Sequence, residues 1–423
     1  MKRFLARMIA VIVLTAAVAG AAGTAASASG SSSPGVSSKT ITIGYITSDT
    51  GVAASTFTDG AAGALARIKQ QNAAGGVNGR KLVLVTKDDT SSPSANQTAA
   101  QELVQQDNAF GVIDFSALAF GGAKYLNQQS IPVTGSEFDG PEWGMQPNSN
   151  MFTYSAPLYT SYNGKMYTYT FLGSFLKSVG VTKLASLAYG ISPSATDAAA
   201  AAIASATKAG IQNCYTNYSV PFGAVDFTSD VLAIKSKGCN GVEAPLVDSS
   251  DIALATAVKQ GGVNAKQLYY TGYSSDVANN AVTAKAFDGN YVEAGINFVT
   301  PNAGVTTMLN AFKKYDPGYK ASDIPDLGLY GSYIATDLMI KGLQVAGKNP
   351  TRPAFIKNLR KVSSYNANGI LPGPVSFTGF GTVTMIPKQG CTYVVQLKGT
   401  KFVLANGGQL LCGTRMAYTP PSS

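Results

Sequence analysis

Histidine is absent from the whole 423-residue chain. Without an imidazole the chain cannot build a Ser-His-Asp triad, a Cys-His pair or a histidine-ligated metal site. The chain also lacks the GxSxG sequence that places the nucleophile in many α/β hydrolases. These absences argue against an enzyme, although an exported α/β enzyme acting on sugars or esters remains an alternative hypothesis.

Cysteine is scarce, and its spacing excludes several kinds of site. Cys214, Cys239, Cys391 and Cys412 include no CxxC pair, so zinc and redox motifs have little support and we expect no metal and no cofactor. In an exported chain, disulfides are favoured. The local pairs Cys214 with Cys239 and Cys391 with Cys412 are plausible, each closing a loop of about 20 to 25 residues, but four cysteines allow three pairings.

Basic clusters are missing as well. The formal net charge is +9, yet no run of five basic residues and no recurring aromatic-basic strip occurs. An excess of positive charge that is this small and this dispersed is sufficiently explained by the need for solubility. We therefore expect no nucleic-acid partner.

The only long apolar run lies at the start of the chain. Three basic residues precede it, it extends from Met8 to about Gly23, and "ASA" at 26–28 offers a small-residue cleavage site. The run is shorter than the roughly 18 to 20 residues of a membrane span, so a cleaved signal peptide over residues 1–28 is favoured over an anchor. The first cysteine is Cys214, so no lipoprotein cysteine follows the run. We predict an exported protein, periplasmic or at the cell surface, with a flexible mature N-terminus over 29–38.

Strand and helix patterns alternate through the rest of the chain. "TITIGYIT" (40–47) predicts a strand, a helix follows from Thr58 or Asp59 to Gly75, and Leu82–Val85 predicts a buried strand. Pro93 begins the next helix. Further strands are predicted by "AFGVIDF", "IPVTG", "KLASLAY", "GIQNCYTNYSV" and "GVEAPLV". This alternation is typical of parallel sheets with crossover helices, here in two α/β lobes.

Two segments depart from the alternation. Residues 151–164, "MFTYSAPLYTSYNG", lack strong periodicity, and we interpret them as a segment that crosses between the lobes. Beyond Pro372 the chain is strand-rich, with "KGTK" as the turn of a hairpin between "TYVVQL" and "FVLA". The last residues, 416–423, are expected to fray.

Several stretches together resemble the Leu/Ile/Val-binding family of exported solute-binding proteins. They are "ITIGYITSDTG", "GGVNGRKLVLVTKDDTSSP", "FGVIDFSALAFGGAKYLNQQSIPVTGSE", "VDFTSDVLAIKSKGCNGVEAPL" and "LYGSYIATDLMIKGLQVAG", in the family's order. Each stretch alone is a weak signal, whereas the ordered set spans most of residues 40 to about 397.

The resemblance implies a type I periplasmic-binding fold of class α/β. Each of its two lobes has a mostly parallel sheet flanked by helices, and the chain crosses between the lobes three times. The implied bounds are 39–152 with about 299–372 for the first lobe, and 153–298 with about 373–415 for the second. The implied function is capture of a small polar organic molecule, such as an amino acid, an amide or an aromatic acid, for a membrane ABC permease. A sensor that signals to a membrane receptor is the alternative.

Candidate ligand-binding residues follow from the loops at the carboxyl ends of the predicted strands. They are Ser48, Phe57, Ser116, Ala117, Phe120, Ser136, Glu137, Phe138, Trp143, Tyr273, Asp276 and Tyr330. Ser116 and Ser136 would supply hydroxyl groups and the aromatic residues would supply walls. The alternatives are that the two serines are ordinary loop residues, that Trp143 packs its own loop, and that Glu137 and Asp139 face water.

Two positions depart from the amino-acid-binding members of the family. Phe138 lies about where those relatives carry threonine, and Ser274 lies about where they carry the acid that meets the ligand's ammonium group. Leucine, isoleucine and valine are therefore expected to bind poorly. Asp88 and Asp89, at a strand end before "TSSP", are expected to cap the following turn or helix.

Overall fold

The computed structural model describes residues 33–136, 140–155 and 165–419. The strands are β1 (Thr40–Thr47), β2 (Lys81–Asp88), β3 (Gly111–Asp114), β4 (Val133–Gly135), β5 (Met151–Thr153), β6 (Met166–Tyr169), β7 (Lys183–Tyr189), β8 (Gln212–Val220), β9 (Gly241–Ala244), β10 (Lys266–Tyr269), β11 (Tyr291–Ala294), β12 (Gln389–Lys398), β13 (Lys401–Leu404) and β14 (Leu411–Tyr418). The helices are α1 (Ala54–Phe57), α2 (Gly60–Ala73), α3 (Pro93–Gln105), α4 (Phe120–Gln128), α5 (Phe171–Ser178), α6 (Pro193–Lys208), α7 (Thr228–Ser236), α8 (Asp248–Gln260), α9 (Ser275–Asn279), α10 (Ala281–Phe287), α11 (Ala303–Tyr315), α12 (Leu327–Ala346) and α13 (Arg352–Leu359).

The first sheet is parallel throughout and has the order β2-β1-β3-β4-β5. Helices α2 and α12 pack closely together beside it. Gly63 permits this approach, because a Cβ there would lie 2.0 Å from the carbonyl oxygen of Leu329. We call this sheet with its helices the first lobe.

The second sheet is mixed and has the order β6-β14-β12-β11-β10-β9-β7-β8, with β13 paired to β12. The strands from β11 to β8 are parallel, whereas β12, β14 and β6 pair antiparallel. Helix α6 contacts β6 at one end of this order as well as β7 and β8 at the other end. The sheet therefore curls around α6. We call this sheet with its helices the second lobe.

The chain passes between the lobes three times, between β5 and β6, between β11 and α11, and between α13 and β12. Helices α11 and α12 return to the first lobe, where both pack against α2, and α13 packs against α12. Two α/β lobes and three crossings confirm the predicted fold class, although the second sheet is mixed rather than mostly parallel. The residue bounds given for the two lobes stay a prediction.

The predicted strands and helices lie close to their observed positions in most places. Strand β7 coincides with "KLASLAY", and α3 begins at Pro93 with that proline in its first turn. The short helix α1 was not expected, and α2 begins at Gly60 after Asp59, whose side chain makes no capping hydrogen bond.

Three expectations about irregular segments need correction. Met151–Thr153, placed in the crossing segment, forms β5 at the edge of the first sheet because its backbone pairs with β4. Residues 33–38, expected to be flexible, are held by a bridge between Val36 and Ile41 and by a hydrogen bond from Thr42 N to Gly35 O. Residues 416–418, expected to fray, pair with β6 as the end of β14.

Both local cysteine pairs are bonded in the structure, and both lie in the second lobe. Cys214 on β8 is joined to Cys239, which lies two residues before the start of β9. Cys391 on β12 is joined to Cys412, its direct cross-strand partner on β14. In the described part of the chain no helix is long and apolar enough to cross a membrane. The predicted signal peptide, 1–28, lies outside the described residues.

Candidate functional site

A cavity of about 660 Å³ lies between the two sheets. On the first-lobe side it is bounded by α1, the loops after β3, β4 and β5, the start of α12 and the loop 371–375. On the second-lobe side it is bounded by the ends of β7, β9, β10 and β11, and by α6 and β12. Most of these strands are parallel and present their carboxyl ends, which is where open α/β sheets bind ligands.

Aromatic rings form much of the cavity wall: Phe57, Tyr154, Tyr169, Phe171, Tyr189, Phe222, Tyr270 and Tyr330. Several are held against a neighbouring ring. The centroids of Tyr189 and Phe222 are 5.0 Å apart in an edge-to-face contact, and those of Tyr169 and Phe171 are 5.8 Å apart and stacked. Rings fixed in this way offer a preformed apolar surface to a ligand.

The hydroxyl groups in the wall are largely bonded within the protein. The Oγ atoms of Ser136 and Ser155 are 3.2 Å apart. Thr271 Oγ1 donates to Asp251 Oδ2 at 2.8 Å, and the backbone N–H of Val247 donates to the hydroxyl of Tyr189 at 3.2 Å. These bonds fix the orientation of the hydroxyl groups. The hydrogen bonds that each hydroxyl can still form with a ligand therefore have fixed directions.

Among the described residues, one charged side chain lines the cavity. Glu293 on β11 lines the cavity, and no lysine or arginine among the described residues does so. Two further acids are buried nearby in the second lobe, where burial raises the pKa of Glu243 to about 8 and that of Asp248 to about 6. The cavity therefore offers no basic side chain from the described residues to an anionic ligand.

The two lobes are joined at one edge of the cavity by direct hydrogen bonds. Thr56 Oγ1 of α1 donates to Asp248 Oδ1 of α8 at 3.2 Å, and the Asp248 N–H donates to the same hydroxyl oxygen at 3.0 Å. The N–H of Ser249 donates to Ser55 Oγ at 3.3 Å. Helix α1 thus meets the N-terminus of α8, and the lobes are in contact there.

Four of the predicted site residues line the cavity, namely Phe57, Ala117, Ser136 and Tyr330. Glu137, Phe138 and the neighbouring Asp139 lie outside the described residues. The other six, Ser48, Ser116, Phe120, Trp143, Tyr273 and Asp276, are not among the lining residues.

Ser48 and Ser116 are turned into the first lobe. Ser48 Oγ donates to Asp89 Oδ1 at 2.8 Å, and Ser116 Oγ donates to the other oxygen of the same carboxylate. All three side chains are buried. The hydroxyl groups predicted to hold a ligand therefore serve a carboxylate of the protein itself.

The capping role predicted for the paired acids is confirmed. Asp88 accepts hydrogen bonds from the N–H groups of Asp49, Thr50 and Thr90. Asp89 accepts from the N–H of Ser91 at 3.0 Å. Both carboxylates thus stabilise the turns at the end of β2.

The remaining predicted residues have structural surroundings. Trp143 is fully buried in the first-lobe core, so packing is its observed role. Phe120 is half-buried at the start of α4. The ring of Tyr273 lies 4.9 Å from that of Phe402, centroid to centroid, inside the second lobe.

At the start of α9, Asp276 is exposed in the first turn, while Ser274 caps the helix by accepting from Val277 N–H. Ser274, which stands where the family resemblance implies an acid, therefore serves as a helix cap.

Several lining residues were not predicted from the sequence, although their positions at the carboxyl ends of strands could have indicated them. Tyr154 follows β5, Tyr189 ends β7, Tyr270 follows β10, and Glu293 lies near the end of β11. Each satisfies the carboxyl-end rule that selected the candidate loops. The alanine face of α6 and the contribution of β12 carried no comparable signal, because they depend on the curl of the second sheet.

Within the described residues, no group of three or more histidine, cysteine, aspartate or glutamate side chains could hold a metal ion. Metal ligands need at least such a convergence of donors.

This architecture is shared with a known protein family and with solved structures. The family model described as periplasmic binding protein matches residues 40–402. No curated protein sequence gave a significant match. Three solved structures share the fold at TM-scores of 0.69 to 0.71.

An ABC-transporter solute-binding protein of R. palustris in complex with benzoate is 17% identical, with a TM-score of 0.69, covering 90% of this chain and 98% of its own. A branched-chain amino acid ABC transporter protein of Thermus thermophilus with bound valine is 17% identical, with a TM-score of 0.71, covering 88% and 96%. A fatty acid ABC transporter substrate-binding protein of Thermomonospora curvata is 16% identical, with a TM-score of 0.69, covering 92% and 97%.

Proposed function

The chain belongs to the periplasmic binding protein family, and from that premise we propose that it is an exported solute-binding protein for an ABC importer. Its ligand is an uncharged or cationic organic molecule with an apolar or aromatic body, held in the cavity between the lobes. The observation that carries this ligand class is the described part of the cavity wall, which is rich in aromatic rings and in which Glu293 is the charged side chain.

Electrostatics supports the exclusion of carboxylate ligands. A carboxylate moved out of water needs a cation or several hydrogen-bond donors in compensation. Of the two serines expected to supply hydroxyl groups, Ser116 instead donates to Asp89, and Ser136, which lines the cavity, has its Oγ 3.2 Å from that of Ser155. The solved relatives with benzoate and with valine hold ligands that carry a carboxylate. The ligand of this chain, unlike theirs, is proposed to carry no carboxylate.

Binding without catalysis fits the residues available. The sequence has no histidine, and Glu293 is the one charged side chain among the described lining residues. General acid-base chemistry on a substrate usually needs two titratable groups with different pKa values near the reacting atoms. Export by the signal peptide at 1–28 is part of the same proposal.

A thermal-shift comparison of four small probes tests the ligand class. Benzamide and benzylammonium should raise the melting temperature, whereas benzoate and leucine should not, since a ligand that binds only the native state stabilises it by about 2.7 kcal/mol at a hundredfold excess over Kd. Tyr330→Ala should weaken both binders, and Tyr125→Ala, a tyrosine on α4 away from the cavity, serves as the matched control. Stronger stabilisation by benzoate or leucine than by benzamide would contradict the proposal.

Glu293→Gln provides a finer test of charge. The substitution keeps the size of the side chain and removes its carboxylate, so benzylammonium should lose more affinity than benzamide. Equal losses for the two probes would show that the carboxylate does not select the ligand's charge.

Delivery to an importer is tested in cells. Deleting the gene should abolish uptake of a radiolabelled probe that the purified protein binds. Unchanged uptake together with a lost transcriptional response to the probe would instead favour the sensor.

A further inference from the structure

The cavity continues from the space between the lobes into the second lobe, along helix α6. Ser194, Ala195, Ala198, Ala201 and Ala202 of this helix all line it. Residues 194 to 202 span eight positions, or about 12 Å along a helix axis at about 1.5 Å per residue. The cavity is therefore elongated in the direction of α6. We call the part bounded by Ala195, Ala198, Ala201 and Ala202 the inner compartment.

The curl of the second sheet explains why this space is open. Because α6 contacts strands at both ends of the sheet order, the sheet wraps around the helix as a partial barrel. The cavity lies between α6 and the ends of β9, β10 and β11. The face of α6 toward the cavity carries only methyl groups at its four alanines, so the helix itself fills little of that room.

The walls beside α6 are apolar and held in place, and one of them is helix α5, which packs directly against α6. Phe171 and Leu172 of α5 line the cavity, and Tyr169 stacks on Phe171. Gly390 on β12 leaves room for the Tyr169 ring, because a Cβ at that position would lie 2.5 Å from a ring carbon. The adjacent Cys391 is tied to β14 by its disulfide. The walls therefore cannot easily collapse onto α6.

We propose that the inner compartment binds an extended hydrocarbon part of the ligand, either an alkyl chain or a second ring. The polar or cationic end then lies between the lobes near Glu293, Tyr270 and Thr271, which line the cavity at the ends of the second-sheet strands. This inference rests on the proposed function and narrows its ligand class to amphiphilic molecules longer than a single ring.

A series of uncharged phenylalkanols, from benzyl alcohol to 6-phenylhexan-1-ol, tests the compartment by calorimetry on the full protein. Each methylene that enters an apolar compartment should raise the affinity about fourfold, from about 0.8 kcal/mol per buried CH₂. In Ala198→Leu the added side chain occupies the compartment, so the affinity should stop rising with chain length.

The matched control is Ala204→Leu, the same substitution on the same helix at a residue that does not line the cavity. This variant should keep the wild-type dependence on chain length. If Ala198→Leu does not fold, the smaller Ala198→Val replaces it, and the dependence on chain length should weaken rather than vanish.

The outcomes separate the two proposals. If benzyl alcohol binds the wild type but affinity does not rise along the series, the compartment is overturned and the proposed function stands. The compartment is also overturned if Ala198→Leu keeps the full chain-length dependence, or if it loses benzyl alcohol and the longer members equally. Failure of every phenylalkanol, benzamide and benzylammonium to bind the wild type would overturn the proposed function and this inference with it.

Discussion

The two lobes are built from the same strand-helix alternation, yet they contribute to the cavity differently, because among the described residues the second lobe adds one face of the long helix α6 to the wall. In the first lobe five parallel strands are covered by helices that approach closely at Gly63, and Trp143 lies in the core. In the second lobe nine strands curl around a helix whose inner face is alanine. Small side chains on α6 thus leave the space beside that helix open to the cavity.

The lobes also differ in how they use polar side chains near the cavity. In the first lobe the hydroxyls of Ser48 and Ser116 are bound to Asp89. In the second lobe Glu293 lines the cavity itself, with Glu243 buried behind it. Among the described residues, the charged side chain that lines the cavity therefore comes from the second lobe.

The largest expected effect tests the dense packing of the first lobe. Trp143→Ala should lower the free energy of unfolding by about 3–5 kcal/mol, because removing a fully buried ring leaves a void that the core fills only partly. Phe171→Ala in the second lobe should cost less, since one side of that ring already faces the cavity. Urea denaturation measures both. Equal losses would contradict the contrast between the lobes, and unchanged benzamide affinity in Trp143→Ala would separate packing from ligand contact.

The second effect concerns the disulfides, which lie only in the second lobe among the described residues. Replacing either pair of cysteines by alanine should cost about 3 kcal/mol in the chain-entropy model, for sequence separations of 25 and 21 residues. Cys391→Ala/Cys412→Ala should also weaken ligand binding, because Cys391 lines the cavity, whereas Cys214→Ala/Cys239→Ala should not. Alkylation of the non-reduced wild type should detect no free thiol, and four modified cysteines would refute the pairing.

The smallest effect concerns the junction between the lobes. Burial raises the pKa of Asp248 from its ordinary 3.8 to about 6, so the native state binds the proton more tightly than the unfolded chain. This carboxyl therefore contributes stability at low pH, roughly 2–3 kcal/mol, that is lost as the pH rises from about 4 to about 6. Asp248→Asn keeps an oxygen acceptor for Thr56 but cannot ionise. As the pH rises from about 4 to about 6, the melting temperature of this variant should therefore fall less than that of the wild type.

A sign control is available at an exposed aspartate. The backbone N–H and the hydroxyl of Thr228 lower the pKa of Asp226, so Asp226→Asn should change the pH profile in the opposite direction. An unaltered profile in Asp248→Asn would mean that this carboxyl does not couple protonation to stability.

Much of the fold was predictable because its signals are local. Apolar runs bounded by turn residues located β1, β2 and β7, and Pro93 located the start of α3. The edge strand β5 was missed because its three residues are too few for a periodic pattern. The pairing of residues 416–418 was missed because it depends on β6, which lies about 250 residues earlier in the chain.

The site was predictable only in part. The carboxyl-end rule selected Phe57, Ala117, Ser136 and Tyr330, which line the cavity. It also selected Ser48 and Ser116, because a loop position does not reveal which way a hydroxyl points. Their direction is set by Asp89, a residue in a different loop.

The sequence by itself determined the α/β class, the order of most elements, the family and the lack of imidazole chemistry, since composition and short-range pattern carry all of these. The tertiary structure alone decided which residues share the cavity. Glu293, Tyr154 and the alanines of α6 are far apart in the chain, and only the curl of the second sheet and the packing of the lobes bring them to one surface. The shape of a cavity depends on such long-range packing, whereas strand and helix patterns depend on neighbours a few residues away.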